Sequence, residues 1–173
     1  MNQFVTLEQI DRAVEAVRAR ASRRPRIGIV LGSGLNSLAD SVQQADFIPF
    51  GDLPDWPRST VHGHTGRLVI GELEGQSVMV MQGRVHFYEG YSISQVTLPT
   101  RVMARMGLEI LIVTNAAGGV NPEFAPGDVM LITDHLNLMG MTCANPLMGP
   151  NIEELGPRFP DMTAVYDKEL QEI

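Results

Sequence analysis

The sequence predicts an α/β fold with a largely parallel or mixed sheet. Three observations predict it. Short, apolar, β-rich runs stand at 27–31 and 109–114, too brief for helices and bounded by turn residues. Stretches of helical spacing lie before and after them. The two kinds of segment alternate along the chain, as they do where helices cover a sheet. With 173 residues, 44% hydrophobic and 19% charged, the chain is long enough for one ordinary domain with its own core. No repeat, low-complexity tract or interdomain linker interrupts it, so 1–173 reads as a single domain.

The elements follow in order. Over 6–21, Leu7, Ile10, Val14, Val17 and Ala21 fall on one helical face, opposite Glu, Asp and Arg. Thr6 is placed to cap this helix, and Gln9, three residues on, completes a capping box. Polar residues end it at Pro25. The run 27–31 is continuously apolar, as in a strand buried on both faces. Gly32, Ser33 and Gly34 follow at once. Leu35, Leu38, Ala39 and Val42 then recur at helical spacing and predict a short helix. Residues 45–50 read as a strand. The stretch 51–66 is a long connection with Trp56 as its anchor, a kind of segment that often carries function. Residues 67–73 and 77–82 form a hairpin turned at 74–76. After a loop at 83–91, Ser92 and Gln95 supply a second capping box for a helix reaching Met106, kinked by Pro99. Residues 109–114 are a second buried strand and 129–133 a third. Residues 140–160, rich in Pro, Gly and Asn, read as surface loop. A further helix starts at 164 and meets no stop signal by Ile173. The ten methionines fill gaps in the core.

The formal charge of −7 argues against a general surface for nucleic acid or anionic membrane. No apolar run approaches a membrane span. Residues 1–8 lack the basic start and apolar stretch of a secretory leader. The lone Cys143 allows no internal disulfide, so a reducing, cytoplasmic compartment is expected. Any anion site in so acidic a chain has to be built locally, by a few aimed donors.

Four segments carry candidate chemistry. The first is strand, Gly32-Ser33-Gly34, helix. Glycines let backbone N–H groups approach a ligand, the following helix adds the positive end of its dipole, and Ser33 adds a hydroxyl. The dinucleotide pattern is not completed, because Ser37 stands where its last glycine belongs, and no Gly-Lys-Ser/Thr follows for a P-loop. A simple tight connection stays open as the plainer reading. The second segment is GRVHFYEGY at 83–91. Arg84 offers a planar fork suited to two phosphate oxygens. In an extended chain His86 falls on the same side, and Tyr88 continues that alternation to present a ring and hydroxyl to a sugar. The third is TNAAGG at 114–119, whose small residues allow close backbone approach at the carboxyl end of a strand. The fourth is STVHGHTG at 59–66. Its His-x-His spacing hints at a metal, but the ligand count is too small, and His64 reaching an anion is the better reading. Ser33 lacks the nucleophile elbow of a Ser-His-Asp hydrolase. Asp134 and His135 read as structural at a strand end, and Cys143 as inert.

In this order, GIVLGSGL (28–35), STVHGHTG (59–66), GRVHFYEGY (83–91), TNAAGG (114–119) and DHLN (134–137) resemble the purine nucleoside phosphorylases of the homotrimeric, inosine- and guanosine-cleaving type. NPLMGPN (145–151) and GPRFPD (156–161) extend the resemblance. It implies a nucleoside-phosphorylase-like mixed, twisted central sheet flanked by helices. It implies pentosyl transfer: a purine (deoxy)ribonucleoside plus phosphate gives free purine and (deoxy)ribose 1-phosphate. Ser33, His64, Arg84, His86 and the backbone N–H of Ala116 would hold phosphate, with His86 the catalytic group. Tyr88 would touch the ribose, Ala117 and Gly118 would lie beside the purine, and Phe159 would cover a neighbouring subunit's sugar in a homotrimer. Phosphate is a co-substrate, and no metal or organic cofactor is implied. Family members continue past this C-terminus with further purine- and phosphate-binding residues, so the chain reads as lacking its C-terminal part. Two alternatives stand beside this. One is a non-catalytic protein that only binds phosphate or associates with other subunits. The other is a methylthioadenosine-cleaving relative, against which the run 86–91 speaks.

Overall fold

The computed structural model describes residues 4–59, 65–142 and 144–172. They fall into two compact units, Met1–Ala116 and Ala117–Ile173.

The first unit opens with helix α1, Leu7–Arg18. The capping box forms: Thr6 Oγ1 accepts the Gln9 N–H at 3.3 Å, and Gln9 Oε1 accepts the Thr6 N–H at 3.0 Å. Ile10, Ala13, Val14 and Val17 make the buried stripe. The helix stops short of the predicted end at 21. Ser22 gives both its N–H and its hydroxyl to the Asp46 carboxylate, which draws the chain out of helical register.

Five strands follow: β1 Ile27–Val30, β2 Gln43–Pro49, β3 Arg67–Leu73, β4 Gln76–Gln82 and β5 Ile110–Val113. They form one mixed sheet in the order β2-β3-β4-β1-β5. β1 runs parallel to both β4 and β5, while β3 is antiparallel to its two neighbours, β2 and β4. The β3–β4 hairpin is tighter than the three-residue turn expected. Leu73 pairs directly with Gln76, and Glu74 and Gly75 both have positive φ (49° and 73°), the signature of a two-residue type I′ turn.

The predicted helix over 92–106 divides into α2, Ile93–Val96, and α3, Leu98–Met106. Pro99 lacks the N–H that would continue the ladder onto Gln95, so the expected kink becomes a break at Thr97. The Ser92–Gln95 capping box is present.

The sheet buries both faces at its centre. On one face Ile29, Val69, Val78 and Val80 pack with Leu31, Ala39 and Val42. On the other, Val30, Leu68, Ile70, Met79 and Met81 are buried, and Met103 of α3 lies close to Gly28. α1 packs beside α3, with Asp11 accepting from Arg105 Nε at 2.7 Å. Trp56 anchors its connection as expected, buried and 5.5 Å from the Phe50 ring.

Four expectations fail. The helix after Gly34 is a six-residue 3₁₀ segment, Asn36–Ser41. β5 forms, but it closes the sheet at one edge, and Leu111, Ile112 and Val113 are 43%, 45% and 58% exposed rather than buried. No strand forms at 129–133, where Val129 is 98% exposed: a run of strand-forming residues that meets no edge keeps its backbone bonded to water. With it falls the strand end assigned to Asp134 and His135. The helix expected from 164 is replaced by turns, with Asp167 Oδ1 accepting the Leu170 N–H at 3.0 Å.

The second unit is held by turns and a few side-chain bonds across its loops. Arg158 donates to the carbonyls of Leu147 and Gly149, and Tyr166 Oη meets His135 Nδ1 at 3.0 Å. The methionines divide accordingly. Met79, Met81 and Met103 fill the core of the first unit, whereas Met130, Met139, Met141, Met148 and Met162 are exposed. Among the described residues, no helix is long and apolar enough to cross a membrane.

Candidate active site

Three of the singled-out segments leave the carboxyl ends of three adjacent strands. Val30 pairs with Met81 of β4 and with Val113 of β5, all parallel. Ser33, Arg84 and Ala116 each stand three residues beyond that row. Neighbouring strands lie ~4.8 Å apart, so chains leaving adjacent carboxyl ends start within reach of one small ligand.

The ends of β1 and β5 are joined by one hydroxyl. Thr114 Oγ1 accepts the Gly32 N–H at 2.8 Å and donates to Val30 O at 2.9 Å. A Cβ on Gly32 would lie 2.7 Å from Thr114 O and 2.8 Å from Asn115 Cα, so only glycine lets these two backbones meet. Gly34 takes φ +88°, which completes the turn. Ser33 is exposed at its tip. Because the following segment is short and 3₁₀, the expected contribution of a helix dipole falls away. The turn's backbone and the Ser33 hydroxyl remain as donors.

The end of β4 is held by Gln82, a buried amide. Its Oε1 accepts from Arg67 Nε at 2.6 Å and its Nε2 donates to Asn36 O at 3.1 Å. Its backbone carbonyl accepts the Gly66 N–H, which fixes where the chain re-enters β3.

The segment 83–91 then alternates as expected for three residues past Gly83. Val85 is buried, and Arg84 and His86 flank it half-buried on the opposite side. His86 is extended (φ −118°, ψ 153°), but Phe87–Glu89 turns as a 3₁₀ segment. Tyr88 therefore does not continue the alternation. Its ring folds back onto the His86 imidazole, centroids 4.8 Å apart and 16° from parallel.

Glu89 completes the arrangement. Its side chain is 1% exposed. Oε1 accepts the His86 N–H at 2.7 Å and faces His86 Nδ1 at 3.1 Å. Oε2 accepts the Ser59 hydroxyl at 3.0 Å. A carboxylate accepts hydrogen bonds, so this contact puts a proton on Nδ1 and makes Nε2 the ring nitrogen for other partners. Nearby, Tyr91 Oη donates to Arg58 O at 2.7 Å and accepts the Arg58 N–H at 3.1 Å. Two side chains of 83–91 thus hold residues 58 and 59.

His64, expected to reach an anion, lies outside the described residues, as do His62 and Cys143. Ala116 is the last residue of the first unit and is exposed. Ala117 and Gly118 open the second unit, where a Cβ added to Gly118 would meet nothing within 4 Å. Phe159 is 87% exposed. Among the described residues, no three His, Cys, Asp or Glu side chains gather as a metal site.

Sequence reasoning gave no role to Glu89, Ser59, Tyr91, Thr114 or Gln82. Glu89 had a signal: a glutamate three residues after His86 is placed to reach back to its backbone N–H, as in a capping box. Ser59 stands 30 residues from Glu89, and no local pattern announces that bond.

Comparison with known proteins bears on the same segments. A match to the phosphorylase superfamily spans residues 26–173. Purine nucleoside phosphorylase 1 of Bacillus subtilis is 54% identical over 166 residues, covering 96% of this chain and 60% of the relative. Purine nucleoside phosphorylase of Rattus norvegicus is 48% identical over 171 residues, covering 99% and 59%. The crystal structure of Schistosoma mansoni purine nucleoside phosphorylase with inosine superposes with a TM-score of 0.90 at 43% identity, covering 98% of this chain and 59% of that one. The chain spans about three fifths of the length of the curated relatives it matches. A match that takes in every strand of the sheet and each of the four singled-out segments makes the chain a member of the phosphorylase superfamily.

Proposed function

We propose that this site serves the phosphorolysis of purine (deoxy)ribonucleosides of the inosine and guanosine type, yielding free purine and (deoxy)ribose 1-phosphate. One observation carries the reading: Ser33, Arg84 and Ala116 follow the carboxyl ends of three adjacent parallel strands beside a histidine backed by a buried glutamate, in a chain about half identical to proteins named purine nucleoside phosphorylase.

The chemistry fits these groups. Breaking the bond between the sugar's anomeric carbon and the purine passes through an oxocarbenium-like state. A phosphate oxygen supplies the electron pair for the new C–O bond, and the C–N pair leaves with the purine. Arg84 takes two phosphate oxygens in its fork. The Ser33 hydroxyl and the Ala116 N–H supply further donors, and His64 is assigned with them. His86, oriented by Glu89, presents Nε2 to the phosphate. Such fixed donors hold two substrates in line and lower the entropic part of the barrier. In this reading Tyr88 contacts the ribose and Ala117 and Gly118 the purine. Phe159 reaches a neighbour's sugar in a cytoplasmic homotrimer, which sedimentation tests. Phosphate is the co-substrate, no metal or organic cofactor takes part, and the chain forms one nucleoside phosphorylase domain.

The deciding assay is phosphate-dependent release of hypoxanthine from inosine by the purified chain. Activity lowered at least ~100-fold by Arg84→Ala, with loss of phosphate saturation, is the expected result. Phosphate dependence unchanged in that variant overturns the assignment. Phosphate binding without hypoxanthine release favours the second reading, a chain that binds phosphate but does not cleave nucleosides.

A further inference from the structure

We propose that Tyr88 is a positioning residue for His86: its ring face fixes the plane of the imidazole that meets phosphate. The proposal rests on the phosphate reading above and adds a second role to a residue assigned there to the sugar. The first observation is the stack itself, 4.8 Å between centroids and 16° between planes. In a continuing strand, residues two apart are separated by ~6.7 Å, too far for stacked rings. The 3₁₀ turn Phe87–Glu89, closed by Gly90 at φ +90°, removes that separation.

The second observation is exposure. Tyr88 is 74% exposed, so no core packing holds its ring where it is. Among the described residues its ring contact is His86. The third is the complement from Glu89. That carboxylate takes the Nδ1 edge of the imidazole and, through Oε1, the His86 backbone N–H. A hydrogen bond at the ring edge restrains the position of Nδ1 more tightly than the tilt of the ring plane. A face contact restrains that tilt, so the two act together on the direction of Nε2. With its face on His86 and its hydroxyl directed to a sugar, Tyr88 would tie the position of the nucleophile to that of the nucleoside.

The two roles separate in a pair of variants, Tyr88→Phe and Tyr88→Leu, studied on the full chain. Phenylalanine keeps the ring and loses the hydroxyl, while leucine loses the ring. Inorganic phosphate is titrated with no nucleoside present, so sugar contacts cannot contribute. Tyr88→Leu is expected to weaken phosphate binding about 3- to 10-fold, the range of a lost aromatic pair, and Tyr88→Phe to stay within about 2-fold of the parent. NMR of His86 gives a readout that needs no phosphate. Its ring protons carry the ring-current shift of a stacked aromatic in the parent and in Tyr88→Phe, and lose it in Tyr88→Leu. Equal phosphate affinity in all three chains, or His86 ring protons unmoved in Tyr88→Leu, overturns the proposal. Failure of the parent chain to bind phosphate overturns the phosphate reading instead, and leaves the ring shifts to decide the stacking.

Discussion

The two units of this chain use similar residues to opposite ends. In Met1–Ala116 the apolar run at 27–30 becomes a strand flanked by β4 and β5, and Val80 beside it is fully buried. In Ala117–Ile173 the apolar run at 129–133 stays irregular and Val129 is 98% exposed. No described residue of 117–172 lies in a strand or an α-helix. A β-branched run is therefore a request for neighbours. Where a hairpin and a parallel strand supply them, the run is buried and its backbone bonded; where none is supplied, it stays hydrated.

The contrast makes predictions of decreasing size. Amide hydrogen exchange should show it most strongly. The amides of β1, β3 and β4 are expected to exchange only through global opening, a protection of ~5–15 kcal/mol, while those of 117–172 exchange almost as in an unfolded chain. Comparable protection in the two units would break the contrast. Next come truncations of matched residues. Leu68→Ala, at a fully buried site, is expected to cost ~2–5 kcal/mol in denaturant unfolding, and Leu136→Ala, 87% exposed, less than ~0.5 kcal/mol. A large cost at Leu136 would reveal packing that the second unit does not display.

The smallest effect concerns acid. The hydroxyl of Ser22 first, then its N–H, holds the Asp46 carboxyl below its ordinary value. The folded state thus favours the ionised form. The resulting stability is fully present above the unfolded value of ~3.9 and is lost as pH falls through the lower, folded one. In unfolding curves between pH 6 and pH 2, Asp46→Asn should flatten that part of the acid slope. An unchanged slope would mean the bond to Ser22 is not kept in solution.

What was legible in the sequence was local or pairwise. Thr6 with Gln9 and Ser92 with Gln95 announced their helix starts, because a capping box is complete within four residues. The hairpin was legible because Glu74 and Gly75 stand between two short apolar runs. Arg84 and His86 were placed on one side by strand periodicity alone. Tyr88 was misplaced by the same rule, since nothing in three residues of sequence told that the extended backbone stops at His86 and turns. The edge position of β5 and the Ser59–Glu89 bond are matters of sheet order and long-range packing, on which local periodicity is silent.

The Thr114 hydroxyl also bears on which substitutions the chain can tolerate. It takes the Gly32 N–H and gives its own proton to Val30 O, so position 114 is read by hydrogen bonding and not by volume. Serine, smaller by a methyl, keeps both bonds. Valine, nearly the same shape, takes this acceptor from the Gly32 N–H and the hydroxyl donor from Val30 O. At this position the substitution that best preserves shape loses what the side chain supplies, and the smaller one keeps it.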